Sequence, residues 1–175
     1  NSFNSLAQSP ESVSLRQSVL ENAYALTDAF NSTAQGLTQL RDDARSNISQ
    51  DITKINNLLK DIANLNQQIS RSKSQTNSDV QTYVDQRAAK IEELAKLTST
   101  STSTNDDGSI NLFIDGSNVV SQSYSSELKI SESINPITGE RTLQLLKYDS
   151  ESGTSSIIDP QSGELSSLLN IYNVT

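Results

Sequence analysis
The chain has 175 residues with 5% aromatics and no tryptophan, a composition suited to thin helix-on-helix packing rather than a thick globule. Its formal charge of −8 is unevenly placed: residues 1–97 carry 11 acidic against 10 basic side chains, residues 98–175 carry 10 against 3. Neither half offers the basic stripe that phosphate binding needs, no stretch has the apolar length of a membrane span, and the absence of His and Cys removes the commonest general base and the thiolate and imidazole metal sites. With no Met anywhere, Asn1 is expected to lie inside a longer protein.

From the N-terminus, a short segment (1–8) precedes a long helix expected over about 10–71, with Ser9 as N-cap, Pro10 at the first helical position and Glu11 at the positive end of the dipole. Leu20, Ala23, Thr27, Phe30, Ala34, Leu37, Arg41, Ala44 and Ile48 recur at alternating steps of three and four. After a second consecutive step of four the same seam resumes as Ile52, Ile55, Leu59, Ile62, Asn66 and Ile69, a stutter that unwinds a left-handed supercoil locally. One helix of that extent is roughly 90 Å long at 1.5 Å per residue, which describes a rod. Arg41 and Asn66 in the seam read either as gaps tolerated where solvent reaches or as devices selecting register.

The polar stretch 70–78 fits a connection in an antiparallel helix pair, with Asn77 or Ser78 able to cap the next helix. That second helix, about 79–97, places Val80, Val84, Ile91 and Leu94 on a stripe with Ala88 and Ala95 beside it. Glu92 with Lys96, and Asp42 with Arg45, are spaced for weak surface pairs. The Ser/Thr run 98–104 is an extended edge or a connector.

Beyond it, Ile110, Leu112 and Ile114 alternate with Asn111, Phe113 and Asp115, the period of a strand. Turn residues 115–118 then let Val119 and Val120 return as a hairpin. Strands are also expected at 127–131 and 141–148 around the turn at 135–139, and at 155–158. The whole region 98–159 then reads as one small antiparallel meander. Leu165, Leu168, Leu169 and Tyr172 within 160–175 open a further helix returning to the first part, and it reads as cut off. The expected fold is α+β and mostly α: an elongated antiparallel bundle of long helices with a small β-meander.

No residue is assigned to catalysis, to a cofactor or to a metal. Asp106 and Asp107 before Gly108 miss the spacing of a calcium loop and read as a turn with exposed acids. The sequons at Asn31, Asn47 and Asn173 read as chance in a chain rich in Asn, Ser and Thr.

Residues 55–70 (INNLLKDIANLNQQIS), 84–87 (VDQR) with 91–94 (IEEL), 107–112 (DGSINL) and 163–169 (GELSSLL) resemble, in order and separation, the flagellar hook-associated protein 1 family. Ala88 departs from it, since the family usually continues Asp-Gln-Arg with a second Asp. The resemblance implies a flagellin-like helical domain and a structural, non-catalytic role at the junction between hook and filament. It also implies flagellar type III export to the cell exterior and self-association in a ring. Its implied partners are the hook protein, hook-associated protein 3, and a chaperone that binds a C-terminal segment. Flagellin or a hook-associated protein 3-like subunit is the nearest alternative. A surface adhesin or coiled-coil stalk, and an enzyme fused to a helical rod, are the alternatives of other classes.

Overall fold
The computed structural model describes residues 2–74, 79–150 and 152–174. Among these residues four helices and seven strands follow one another as α1 (Ser2–Gln8), α2 (Val13–Ser74), α3 (Val80–Leu97), β1 (Thr100–Thr104), β2 (Ile110–Ile114), β3 (Ser117–Ser121), β4 (Tyr124–Ser125), β5 (Glu127–Ile134), β6 (Arg141–Asp149), β7 (Thr154–Ile158) and α4 (Glu164–Val174). The chain falls into two units, one up to Arg41 and one from Asp42 to Val174.

The first unit holds α1 and the opening turns of α2. The long helix starts three residues later than the Ser9-Pro10 signal suggested: Ser12 lies ahead of Val13, and its Oγ accepts the Leu15 N–H at 3.4 Å. Residues 9–11 instead bend between the helices, and the Pro10 carbonyl accepts Arg16 Nε at 2.8 Å. Among the described residues up to Arg41 none is buried. Leu20, Tyr24, Leu26, Phe30, Leu37 and Leu40 are all exposed.

In the second unit the same spacing meets partners. Ala44, Ile48, Ile52, Ile55, Leu59, Ile62, Asn66 and Ile69 are buried along α2. α3 runs antiparallel to it, as the pairs Lys54–Glu93 (3.1 Å), Asp61–Lys90 (2.9 Å) and Asn66–Arg87 (2.8 Å) show by their opposite order along the chain. The buried residues of α3 are Arg87, Leu94 and Leu97, whereas Ala88 and Ala95, expected on the packed side, are exposed. Asp79 precedes α3 without a side-chain cap, and Asn77 and Ser78, the expected caps, lie outside the described residues.

Instead of one meander the strands make two antiparallel sheets, ordered β1-β2-β3-β4 and β5-β6-β7. The Ser/Thr run is the edge strand β1. Alternation in β2 buries Ile110, Leu112 and Ile114 toward the helices. The two-residue turn Asp115-Gly116 has φ of 47° and 76°, so both central residues adopt the left-handed conformation that a tight hairpin of right-twisted strands requires. Leu128, Leu143, Leu145 and Ile158 of the second sheet join the same core, which α4 completes with Leu165, Leu169 and Tyr172. Gly163 starts α4 at φ 90°, and a Cβ there would stand 2.7 Å from the Leu97 carbonyl oxygen, so the turn can approach the end of α3 only with glycine.

Candidate functional site
Each sheet is fastened to the helices by an asparagine used in the same way. In an extended strand one residue directs its N–H and C=O to the same side, and an unpaired residue there needs a donor and an acceptor together. A carboxamide supplies both. Asn56 on α2 donates through Nδ2 to the Leu128 carbonyl at 2.9 Å and accepts the Leu128 N–H on Oδ1 at 2.8 Å, closing the outer edge of β5. Asn173 on α4 does the same for Leu143 of β6, at 3.1 and 2.8 Å. Asn66 on α2 does it for Ile110 of β2, at 2.9 and 3.1 Å.

Asn66 carries two further bonds. Its Nδ2 also donates to the Gln122 carbonyl at 2.7 Å, and its Oδ1 also accepts Arg87 Nη1 at 2.8 Å. Four bonds exhaust what an amide side chain can make, which is why this fully buried group is tolerated in an apolar seam. Arg87, itself buried, donates through the same Nη1 to the Gly108 carbonyl at 2.9 Å. Burial lowers its pKa, yet the group stays cationic because guanidinium titrates so high.

The turn that receives Arg87 is fixed from both ends. Asp107 Oδ1 accepts the Ser109 hydroxyl at 2.6 Å and the Ser109 N–H at 3.0 Å, and these bonds hold its carboxyl below the usual range. Gly108 sits at φ 83°, where a Cβ would stand 3.1 Å from Ile69 Cγ2. Lys73 Nζ reaches the Asp106 carbonyl at 2.7 Å. Thus the Asp-Gly pair serves a turn clamped between α2 and α3, and the side chain of Asp107 is turned inward on its own loop.

A second polar cluster surrounds Glu132 on β5. Arg45 of α2 pairs with it at 2.8 Å, Arg141 of β6 lies 3.7 Å away, and the Tyr172 hydroxyl of α4 donates to it at 2.8 Å. Arg45 was expected to pair with Asp42; the sheet supplies the better-placed acid. Burial, then the bond to Glu132, raises the Tyr172 pKa. The expected Glu92–Lys96 pair forms at 3.7 Å on an exposed face.

Among the described residues no three His, Cys, Asp or Glu are grouped to hold a metal, and no helix is long and apolar enough to cross a membrane. What the residues build is a joint: the segments 55–70, 84–87 and 107–112 converge on Asn66, Arg87 and Gly108. Sequence reasoning noted Asn66 without direction, named Asn173 only as a sequon and did not single out Asn56. For Asn66 the available signal is an amide at an otherwise apolar heptad position; Asn56, off the seam, and Asn173, on α4, carry no such signal.

Fold and joint together describe a helical scaffold: a long helix to which two sheets are pinned by asparagine clamps, that of Asn66 fully buried. The chain belongs to the family described as the flagellar hook-associated protein FlgK helical domain, whose model matches residues 1–175. Flagellar hook-associated protein 1 of Salmonella typhimurium strain LT2 is 32% identical over 112 residues, which cover 63% of this chain and 20% of that protein. The Salmonella typhi protein of the same name matches to the same extent. The chain therefore spans about a fifth of the length of these relatives. The flagellar hook junction protein FlgK from Burkholderia pseudomallei shares the fold, with a TM-score of 0.81 and 23% identity over 97% of this chain and 31% of that one.

Proposed function
We propose that the chain is part of a structural subunit of the bacterial flagellum, placed at the junction between hook and filament. The observation that carries this reading is the family match along the entire chain, supported by the convergence of its signature segments on one buried joint. A joint of that kind suits a part that transmits torque without rearranging. Hydrogen bonds that use every donor and acceptor of a buried amide fix one geometry and leave no competing arrangement of similar energy.

In this reading the hook protein lies on one side, hook-associated protein 3 on the other, and neighbouring copies close a ring. The subunit reaches the cell exterior through the flagellar type III apparatus with a dedicated chaperone, and performs no catalysis. The alternative of a flagellin or hook-associated protein 3-like subunit has less support, since the matching family model is that of the hook-associated protein FlgK helical domain. Deleting the gene in its host tests the proposal. Cells with hooks but no filaments, and flagellin free in the medium, are expected; normal filaments would overturn it.

A further inference from the structure
Two Asp-Gly pairs flank β2, Asp107-Gly108 before it and Asp115-Gly116 after it. An aspartate followed by glycine can react with its own main chain, because the glycine nitrogen has no neighbouring Cβ to shield it. The nitrogen bonds to Cγ of the protonated carboxyl, whose hydroxyl leaves with the amide hydrogen as water, and a five-membered succinimide closes. Water then adds to either ring carbonyl. Opening at Cγ restores aspartate; opening at the main-chain carbonyl leaves the peptide link on Cγ and a free α-carboxyl, which is isoaspartate. The reaction needs an unpaired amide, a carboxyl free to swing over it and a backbone that yields.

At the first pair all three are denied. The Gly108 N–H donates to the Asn105 carbonyl at 3.0 Å, and Asp107 Oδ1 is held by the Ser109 hydroxyl and N–H at 2.6 and 3.0 Å. These bonds also favour the carboxylate, which has no hydroxyl to lose as water. The main chain cannot yield, since Arg87 holds the Gly108 carbonyl and Lys73 the Asp106 carbonyl. At the second pair the restraints are missing. Asp115 and Gly116 are exposed, and the Gly116 N–H has no partner among the described residues. One bond restrains the carboxyl, from the Ser99 hydroxyl to Asp115 Oδ1 at 2.7 Å. Asp115 lies at φ 47°, which a residue with a Cβ adopts at a cost, so opening the turn relieves strain. Around Gly116 there is open space.

We propose that the hairpin turn Asp115-Gly116 is a site of spontaneous isoaspartate formation, and that the joint around Asn66 and Arg87 spares Asp107-Gly108 from the same modification. The product carries an extra main-chain carbon between β2 and β3. A two-residue hairpin cannot absorb it without losing the Ile114–Ser117 pairing that closes the turn. Ile114, Val119 and Val120 next to that pairing are buried, so the change loosens one end of the sheet that Asn66 pins at the other. The chain has neither Met nor Cys, the residues that oxidise most readily, which leaves this turn as an exposed point of covalent ageing.

Each passage through the succinimide takes up an oxygen atom from solvent, which supplies the test. The folded chain is kept for weeks in mildly acidic water enriched in heavy oxygen, beside a sample unfolded in urea. Fragmentation of the digested chain in a mass spectrometer locates the label, and electron-based fragmentation distinguishes isoaspartate from aspartate. In the folded chain, label and isoaspartate should accumulate at residue 115 at least about tenfold faster than at residue 107, where three hydrogen bonds must break against one. In urea the two rates should converge. Equal rates at the two residues in the folded chain, or no label at residue 115 while the unfolded chain gains it, would overturn the proposal. So would a difference that persists undiminished in urea, since local sequence and not the fold would then set the choice.

Discussion
Replacing Asn66 by alanine probes the joint most directly. The substitution removes four hydrogen bonds at once and leaves the Ile110 N–H and C=O, the Gln122 carbonyl and one bond of Arg87 without their partner. A buried polar group left unpaired costs about 1–3 kcal/mol, and water entering the vacated space returns part of that for the main-chain groups. Arg87 keeps its bond to Gly108, so its charge is weakened in its surroundings but not abandoned. The sum is about 3–5 kcal/mol, a large share of the stability of a domain this size. It corresponds to a fall in melting temperature of about 10 °C. Urea unfolding followed by circular dichroism measures it. Asn56→Ala, which releases only Leu128, is the control and should lose about 1–2 kcal/mol. A loss below about 1 kcal/mol in Asn66→Ala, or one equal to that of Asn56→Ala, would refute the idea that Asn66 and Arg87 form one cooperative buried unit.

Asp51 gives a pH dependence of definite sign. Burial first, then the nearby Glu164, raise its pKa above the ordinary 3.8, against a smaller opposing effect of Lys54, and among the described residues its buried Oδ2 has no hydrogen-bond partner. The folded chain therefore binds this proton more tightly than the unfolded one. Stability falls as pH rises from 3.8 through the raised value and remains lower above it. Asp51→Asn should melt higher than the parent at pH 7 and lose the advantage in acid; a lower melting temperature at pH 7 would contradict this. Gly163→Ala forces a Cβ against the Leu97 carbonyl at a positive φ and should cost about 2–4 kcal/mol, whereas Gly116→Ala, at φ 76° in open space, should cost about 1 kcal/mol. Thermal melts of the two variants compare them directly. Hydrogen exchange should divide α2: amides of residues 15–40, where nothing is buried, should exchange at least about 100-fold faster than those of residues 48–66. Uniform protection along the helix would show that the exposed stripe is covered in solution.

Heptad spacing in α2 identifies one face correctly, and the face from Ala44 to Ile69 is buried as the spacing implies. The identical spacing from Leu20 to Leu37 is exposed in this chain, because periodicity states which side can pack and carries no information about what lies opposite. The same limit explains the misplacement on α3. Leu94 is buried and Ile91 packs against the core as the stripe implies, but Ala88 and Ala95 beside it are exposed, because the helix brings Arg87 and Leu97 inward instead. Its rotation is set by two acceptors, Asn66 Oδ1 and the Gly108 carbonyl, that belong to other elements. Strand alternation and the Asp115-Gly116 turn were legible because their causes are local; the division into two sheets was not, since it depends on β4 pairing with β3 through two residues. An arginine at position 87 is costly to bury unless an amide on α2 and a glycine carbonyl on the turn stand ready for it, and neither alone would compensate its desolvation. Segments that are apart in sequence are thereby constrained together. That mutual constraint gives a physical reason why residues 55–70, 84–87 and 107–112, rather than the coiled-coil spacing that many proteins share, made the family recognisable.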